Sequence, residues 1–139
     1  MIYPSTDEIY NLFLEKKIMC QIIEKDGSST VSVSVSGDQI DYDVLFITDA
    51  ESNSLALRIF RLISFPPDRS DAMIEAAEQC NKKFRFLKFI VDTDSHFVQV
   101  QYDFLTRCED IAEQAFELFY RTLEILRESC PVLLTAAWS

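Results

Sequence analysis

The sequence has only 2 glycines among its 139 residues, and this scarcity excludes one class of site. A loop that cradles phosphate needs several glycines close together, so that backbone N–H groups can approach the ligand. Gly27 and Gly37 stand apart, on either side of a strand-like run. We therefore predict no nucleotide-binding loop and no cofactor.

Histidine and paired cysteines are also scarce. His96 is the single histidine, and none of the four cysteines, Cys20, Cys80, Cys108 and Cys130, belongs to a C-x-x-C pair. Zinc sites and redox dithiols usually bring two sulfurs within a few residues. We expect four buried, reduced thiols and no metal. One enzymatic alternative remains, a small thiol enzyme that uses Cys80 or Cys108 with His96.

Positive charge is in the minority, since 13 basic residues face 23 acidic ones and the formal net charge is -10. The excess is spread along the chain and forms no acidic tail. Such a surface repels phosphate backbones and anionic lipids, so we expect neither a nucleic-acid nor a membrane partner.

No apolar run approaches the roughly 20 residues that a membrane-spanning helix needs. The first residues, "MIYPSTDEIY", lack the basic and apolar regions of a secretory signal. Together with cysteines that show no disulfide spacing, this predicts a cytoplasmic protein.

Two local patterns resemble binding sites. "NKKFRFLKF" alternates cations with phenylalanines, as some single-strand-binding segments do, but its rings fall on both faces of a strand. Asp92-Thr93-Asp94 resembles the start of a calcium loop without the required glycine. We interpret the first as a half-buried strand and the second as a hairpin turn.

The first half of the chain predicts one helix and then a meander of strands. Ser5 and Glu8 fit a capping box at the helix start. The alternation of valine and serine in "STVSVSVSG" is typical of a strand with one buried face. Three further strand-like runs, joined by turn signals such as Asp26-Gly27, are "IMCQIIEK", "QIDYDVLFIT" and "LALRIFRLISF".

The second half predicts a helix, a hairpin and a long helix. Asp68 is the expected N-cap of "RSDAMIEAAEQCNKKF", and the strands "RFLKFIVDT" and "SHFVQVQYDF" follow. The last helix runs from about Glu109 to Ser129, where Pro131 is expected to end it. The fold class is α+β, an antiparallel sheet of five to six strands with three helices in the order α-ββ(β)β-α-ββ-α. We expect residues 1–139 to form one domain.

Three stretches carry a resemblance to a known family: "AAEQCNKKFRFLKFIVDTDSHFVQVQYDF", "VSGDQIDYDVLFITDAESNSLALRIF" and the last amphipathic helix. They resemble the YbjN-like family of bacterial proteins, described as sensory transduction regulators of unknown biochemical function. The resemblance implies the type III secretion chaperone-like fold, an α+β sandwich that commonly dimerises. It supplies no catalytic motif.

These observations favour a non-enzymatic bacterial protein-interaction module, chaperone-like or a signal-transduction regulator. Its expected partners are a second copy of itself and an unidentified protein. The last helix carries more apolar surface than one sheet face requires, and Phe116, Phe119 and Leu123 are the predicted self-association surface. The alternative is a ligand-sensing regulator with a pocket between the sheet and the helices.

Overall fold

The computed structural model describes residues 2–49, 54–104 and 110–139. Its three helices, six strands and one short 3-10 helix follow the predicted order. In chain order the elements are α1 Pro4–Glu15, β1 Gln21–Lys25, β2 Ser28–Ser36, β3 Asp41–Asp49, β4 Ser54–Ser64, the 3-10 helix Pro67–Arg69, α2 Ser70–Lys83, β5 Lys88–Asp92, β6 Phe97–Phe104 and α3 Ile111–Trp138.

The strands form one antiparallel sheet in the order β1-β2-β3-β4-β6-β5. β1 to β4 form a meander, as the tight turn signals predict. The β5–β6 hairpin then joins the far side, with β6 pairing against β4 and β5 forming the edge. The register between β4 and β6 shifts between Ile59 and Ile63. Leu62 and Ile63 can therefore both be buried although they are consecutive.

The helices pack on one face of the sheet, where the alternating apolar residues of the strands form the core. Phe46 of β3 and Phe13 of α1 are both fully buried, with ring centroids 5.5 Å apart. Phe13 also contacts Phe119 of α3 at 5.6 Å, so one ring joins α1, α3 and the sheet. The apolar stripe predicted for α2 is buried as well: Met73, Ala76, Ala77 and Cys80.

Both predicted helix caps are wrong. α1 begins at Pro4 with Tyr3 at the N-cap position, and no side chain caps it. Proline fits the first helical turn because its fixed φ suits the helix and its missing N–H would have no partner there, so Ser5 lies inside the helix. Asp68 lies in the 3-10 helix, and α2 begins at Ser70 without a side-chain cap.

The predicted end of the last helix is also wrong, because α3 continues through Pro131 to Trp138. A proline removes one helical hydrogen bond, but tertiary packing can offset that loss. Leu133 and Ala137, beyond the proline, are 0% and 1% exposed. Arg69 Nε donates to the carbonyl oxygen of Ala136 at 2.8 Å and so fixes the last turn. The tail does pack on the domain as expected, but it does so as helix.

The first hairpin strand begins later than predicted, at Lys88 rather than Arg85. The side chain of Asn81, in the last turn of α2, takes part in the start of this strand. Asn81 Nδ2 donates to the carbonyl oxygen of Phe89 at 2.9 Å, and Phe89 N–H donates to Asn81 Oδ1 at 2.7 Å. The side-chain amide of Asn81 thus bonds to the backbone of Phe89 as a neighbouring strand would. Residues 84–87, of which 85–87 are predicted as the start of the strand, instead connect α2 to β5.

Candidate functional site

The structure buries Cys80, one of the two cysteines of the thiol-enzyme hypothesis, and Cys130 as well. Burial raises the pKa of the Cys80 thiol, and burial together with Cys80 raises the pKa of Cys130 to about 12. A nucleophilic cysteine needs the opposite shift, since the thiolate is the reactive form. Cys108 lies outside the described residues. The two buried thiols are therefore protonated at neutral pH.

His96 lies in the turn between β5 and β6, half-buried and with φ at 63°. Its ring meets the ring of Phe65 edge-on, with centroids 5.7 Å apart. In the same turn, Asp92 Oδ1 accepts the backbone N–H groups of Asp94 and Ser95, both at 3.0 Å. These bonds lower the pKa of Asp92. The segment is the predicted hairpin turn, with the acidic side chain bonded to its own backbone.

The basic and aromatic run is divided among separate local contacts. Lys83 Nζ lies 5.4 Å from the ring centre of Phe84, and the guanidinium of Arg121 lies 4.9 Å from that of Phe86. Phe89 is buried in the core, whereas Phe86 is 40% exposed. The rings do not share one face, so this run forms no continuous stacking platform.

The part of the chain that the structure describes contains no candidate metal cluster and no candidate membrane-spanning helix. Within it, no group of three or more His, Cys, Asp or Glu side chains is arranged to hold a metal ion. Over the same residues, no helix combines the length and the apolar character that crossing a membrane requires.

The residues predicted for self-association lie on different sides of α3. Phe119 is 4% exposed and belongs to the core. Phe116 and Leu123 are half-buried at the flank of the helix. Tyr120, which the sequence analysis did not select, is 46% exposed and meets Phe116 at a centroid distance of 5.0 Å. In the sequence, the spacing of four residues between Phe116 and Tyr120 was the sign that both lie on the same side of the helix.

The face of the sheet opposite the helices, here called the open face, carries a second group of apolar side chains. Across the strands, Ile23 of β1 and Ile47 of β3 both flank Thr30, and Ile47 also pairs with Ala56 of β4. Leu45 lies two residues from Ile47 and so points to the same face. We call Ile23, Leu45, Ile47 and Ala56 the open-face patch. Ile23 is exposed and the other three are half-buried.

Charged groups border this patch. Arg58, opposite Leu45, donates to Asp103 Oδ1 at 2.7 Å. On the other side, Ser34 donates to Asp43 Oδ1 at 2.8 Å. An apolar centre with a polar border is the usual arrangement of a protein-binding surface.

A cleft of about 240 Å³ lies between the loop that joins β2 to β3 and the second half of α3. Val35 and Ile40 line it from the sheet side, and Leu123 and Leu126 from the helix. At this loop, Gly37 N–H donates to the carbonyl oxygen of Ile40 at 3.0 Å. A Cβ on Gly37 would clash with that oxygen, so the closed loop requires glycine.

The floor and the mouth of the cleft differ in polarity. Tyr42 and Cys130, 9% and 6% exposed, form the floor. Burial, with Cys130 and Asp38 nearby, raises the pKa of Tyr42 to about 12, so both floor groups are neutral at pH 7. At the mouth, Arg127 Nε lies 3.8 Å from Asp38 Oδ2, and both side chains are largely exposed.

Comparison with known protein families shows which family this chain belongs to. Residues 6–128 match the model of the YbjN family, whose description is "Putative bacterial sensory transduction regulator". The chain belongs to the YbjN family. The match spans α1 to most of α3, so the resemblance noted in the sequence is confirmed.

The fold of this YbjN-family chain is also present in a solved structure, "Structure of the HopA1-SchA Chaperone-Effector Complex". The superposition has a TM-score of 0.51 at 12% sequence identity and covers 89% of this chain and 94% of that chain. At this identity the likeness concerns the fold, and it confirms the predicted chaperone-like architecture. No curated protein matches the sequence.

Proposed function

We propose that this YbjN-family protein is a non-enzymatic protein-interaction module that holds an apolar segment of a partner protein on the open face of its sheet. The open-face patch of Ile23, Leu45, Ile47 and Ala56 carries the proposal. The sheet presents these side chains opposite the face that α1, α2 and α3 cover. Burying them under a partner would gain roughly 25 cal/mol for each Å² removed from water.

Two further observations support this role. The chain that shares this fold comes from the HopA1-SchA chaperone-effector complex, which supports a protein as the partner of this chain. In addition, the described cysteines are free, and burial keeps Cys80 and Cys130 protonated. Free thiols suit a reducing cytoplasm, and the raised pKa values of Cys80 and Cys130 argue against thiol chemistry at these two residues.

The module is proposed to act as a homodimer through α3. Phe116, Tyr120 and Leu123 follow one another at a spacing of four and three residues, so they form one stripe on the helix. Phe119 supports this stripe from the core side, where it contacts Tyr120 at a centroid distance of 5.8 Å. An exposed tyrosine between two half-buried apolar residues is the kind of anchor that protein interfaces favour.

A photo-crosslinking amino acid at position 47, in the native cell, tests the partner-binding surface. We expect it to capture a discrete protein, because the open-face patch would be covered in the complex. The same probe at Gln114, an exposed position of α3 away from the stripe of Phe116, Tyr120 and Leu123, is the matched control and should not capture that protein.

The variant Ile47→Lys should abolish co-purification of the captured protein while circular dichroism stays unchanged. A lysine would place an unpaired charge under the bound segment. Equal capture of this protein at positions 47 and 114, or a partner that binds Ile47→Lys as well as the native chain, contradicts the proposal.

A further inference from the structure

The cleft between the β2–β3 loop and α3 is a site that protein binding on the open face does not use. Its volume of about 240 Å³ lies below the range of roughly 300–1,000 Å³ that holds drug-sized ligands. A folded segment or a nucleotide is too large for it. The space suits a single small apolar group, and Val35, Ile40 and Leu126 would surround that group.

The floor of the cleft adds no charge to this apolar space. Tyr42 and Cys130 are both neutral at pH 7, as their surroundings require. A ligand that reached the floor with a charged group would lose its hydration without gaining a counter-charge. The charged part of any ligand must therefore stay at the mouth.

The mouth offers one cation and one anion side by side. Arg127 and Asp38 are 71% and 80% exposed and 3.8 Å apart at their nearest charged atoms. So exposed a pair contributes little to stability, because water and salt screen it. Each group is free to exchange its present contact for a closer, charge-assisted one with a ligand.

The backbone of α3 lacks one helical hydrogen bond beside the mouth. Pro131 has no N–H, so it cannot give the helical hydrogen bond to the carbonyl oxygen of Arg127, four residues earlier. Both residues line the cleft. The carbonyl oxygen of Arg127 therefore lacks its usual helical donor.

The net charge of the protein restricts the ligand further. At -10, the chain repels a simple carboxylate from the surrounding solution. A zwitterion carries no net charge and is not repelled, yet it provides a carboxylate for Arg127 and an ammonium for Asp38. Its two charged groups would meet the two charges of the mouth.

We propose that this cleft binds a free α-amino acid with an apolar side chain. The carboxylate contacts the guanidinium of Arg127, the ammonium contacts Asp38, and the side chain enters between Val35 and Leu126. This site makes the protein a sensor of a small metabolite, independently of whether the open face binds a partner.

Titration with L-phenylalanine and L-leucine, followed by amide NMR of the full chain, tests the proposal. We expect shifts of the Gly37 and Tyr42 resonances that saturate below about 10 mM, a range typical of ligands this small. N-acetyl-L-phenylalanine lacks the ammonium and L-phenylalaninamide lacks the carboxylate. Each should bind about tenfold more weakly, because each loses one charge-assisted contact.

Variants of the mouth separate this site from weak binding elsewhere. Arg127→Gln and Asp38→Asn should each weaken L-phenylalanine binding about tenfold, since both side chains are exposed and the fold does not depend on them. Lys82→Gln, which removes an exposed pair with Glu78 at 3.6 Å, is the matched control and should bind normally.

Three outcomes would overturn the proposal: no shift at the cleft with either amino acid, equal affinity for the zwitterion and its two analogues, or full affinity in both mouth variants. Crosslinking at position 47 reports on the open face of the sheet and not on the cleft. If the cleft binds no amino acid, the proposed binding of a partner protein can therefore still be tested separately.

Discussion

At the scale of single residues, three of the buried hydroxyl side chains, Thr6, Ser29 and Thr48, form a small network between α1 and the sheet. Thr6 is fully buried, with Oγ1 2.6 Å from Ser29 Oγ and 3.2 Å from Thr48 Oγ1. The backbone N–H of Tyr3 also donates to Ser29 Oγ at 3.2 Å. A buried hydroxyl that lacks a partner costs free energy, so these contacts favour one position of α1 on β2 and β3.

Replacing Thr6 with valine should therefore destabilise the protein by about 1–3 kcal/mol, although valine has nearly the same shape. The change leaves two buried hydroxyls with one partner fewer, and denaturant unfolding measures the loss. Ser34→Ala is the control, because its bond to Asp43 lies on the exposed side of the sheet. A Thr6→Val variant as stable as the native chain would show that the network contributes nothing.

The second residue-scale prediction concerns alkaline pH. Burial, with Cys80 nearby, raises the pKa of Cys130 from its ordinary 9.0 to about 12. Below pH 9 both folded and unfolded chains keep this proton, so its contribution to stability is complete. As pH rises from 9 towards 12, the unfolded chain releases the proton while the folded chain retains it, and stability falls.

Cys130→Ala should therefore lose less stability than the native chain between about pH 8 and about pH 10.5. Denaturant midpoints at several pH values measure this difference in slope, which is independent of any constant cost of the smaller side chain. Tyr42, whose pKa is also raised to about 12, remains in both proteins; because Cys130 is one cause of that shift, its removal reduces the fall from Tyr42 as well, which changes the slope in the same direction. Parallel pH profiles would contradict the prediction.

At the scale of elements, the joint between α2 and the β5–β6 hairpin is held by one side chain. β5 is an edge strand, paired to β6 on one side. Asn81 bonds to both backbone groups of Phe89 and thereby attaches the helix end to this strand. An amide suits this place because it donates and accepts at once, as a peptide group does.

Asn81→Ala should lower the free energy of unfolding by about 1–3 kcal/mol and speed hydrogen exchange at the Phe89 amide. The Phe89 N–H would lose its acceptor while the strand stays paired to β6. Gln79→Ala, an exposed change two residues earlier in α2, should alter neither quantity. Unchanged exchange at Phe89 in Asn81→Ala would mean that the joint is held by other contacts.

At the scale of the whole molecule, the acidic surface and the α3 stripe act in opposite directions on self-association. Each chain carries a net charge of -10, so two copies repel one another. The stripe of Phe116, Tyr120 and Leu123 would have to offset this repulsion by burying apolar surface. Salt screens charges over roughly 10 Å at 0.1 M, so it should favour the dimer.

Light scattering behind a sizing column should thus give twice the chain mass of 16.1 kDa at micromolar concentration, and more dimer as salt increases. Tyr120→Glu should give the monomer, because it places a charge in the interface. Gln114→Glu, which adds the same charge at another exposed position of α3, should remain a dimer. A native chain that stays monomeric at all salt concentrations removes the dimer from the proposed function.

The sequence by itself determined the order of helices and strands and most of the core. Alternation with a period of two in "STVSVSVSG" specifies which side of β2 is buried, and the spacing of Met73, Ala76 and Cys80 does the same for α2. These patterns are local, so they can be seen without knowing what packs against them. The turn at Asp92 was predictable for the same reason, since its hydrogen bonds lie within the turn.

The tertiary structure decided what depends on contacts between distant parts of the chain. α3 passes Pro131 because Leu133 and Ala137 are buried and Arg69 bonds to its last turn. Phe119 points inward and Tyr120 outward because Phe13 of α1 occupies one side of the helix. The cleft is lined by residues 35–42 and residues 123–131, which are far apart in the chain. No local sequence pattern predicts that they meet, because their proximity results from how the long helix packs against the sheet.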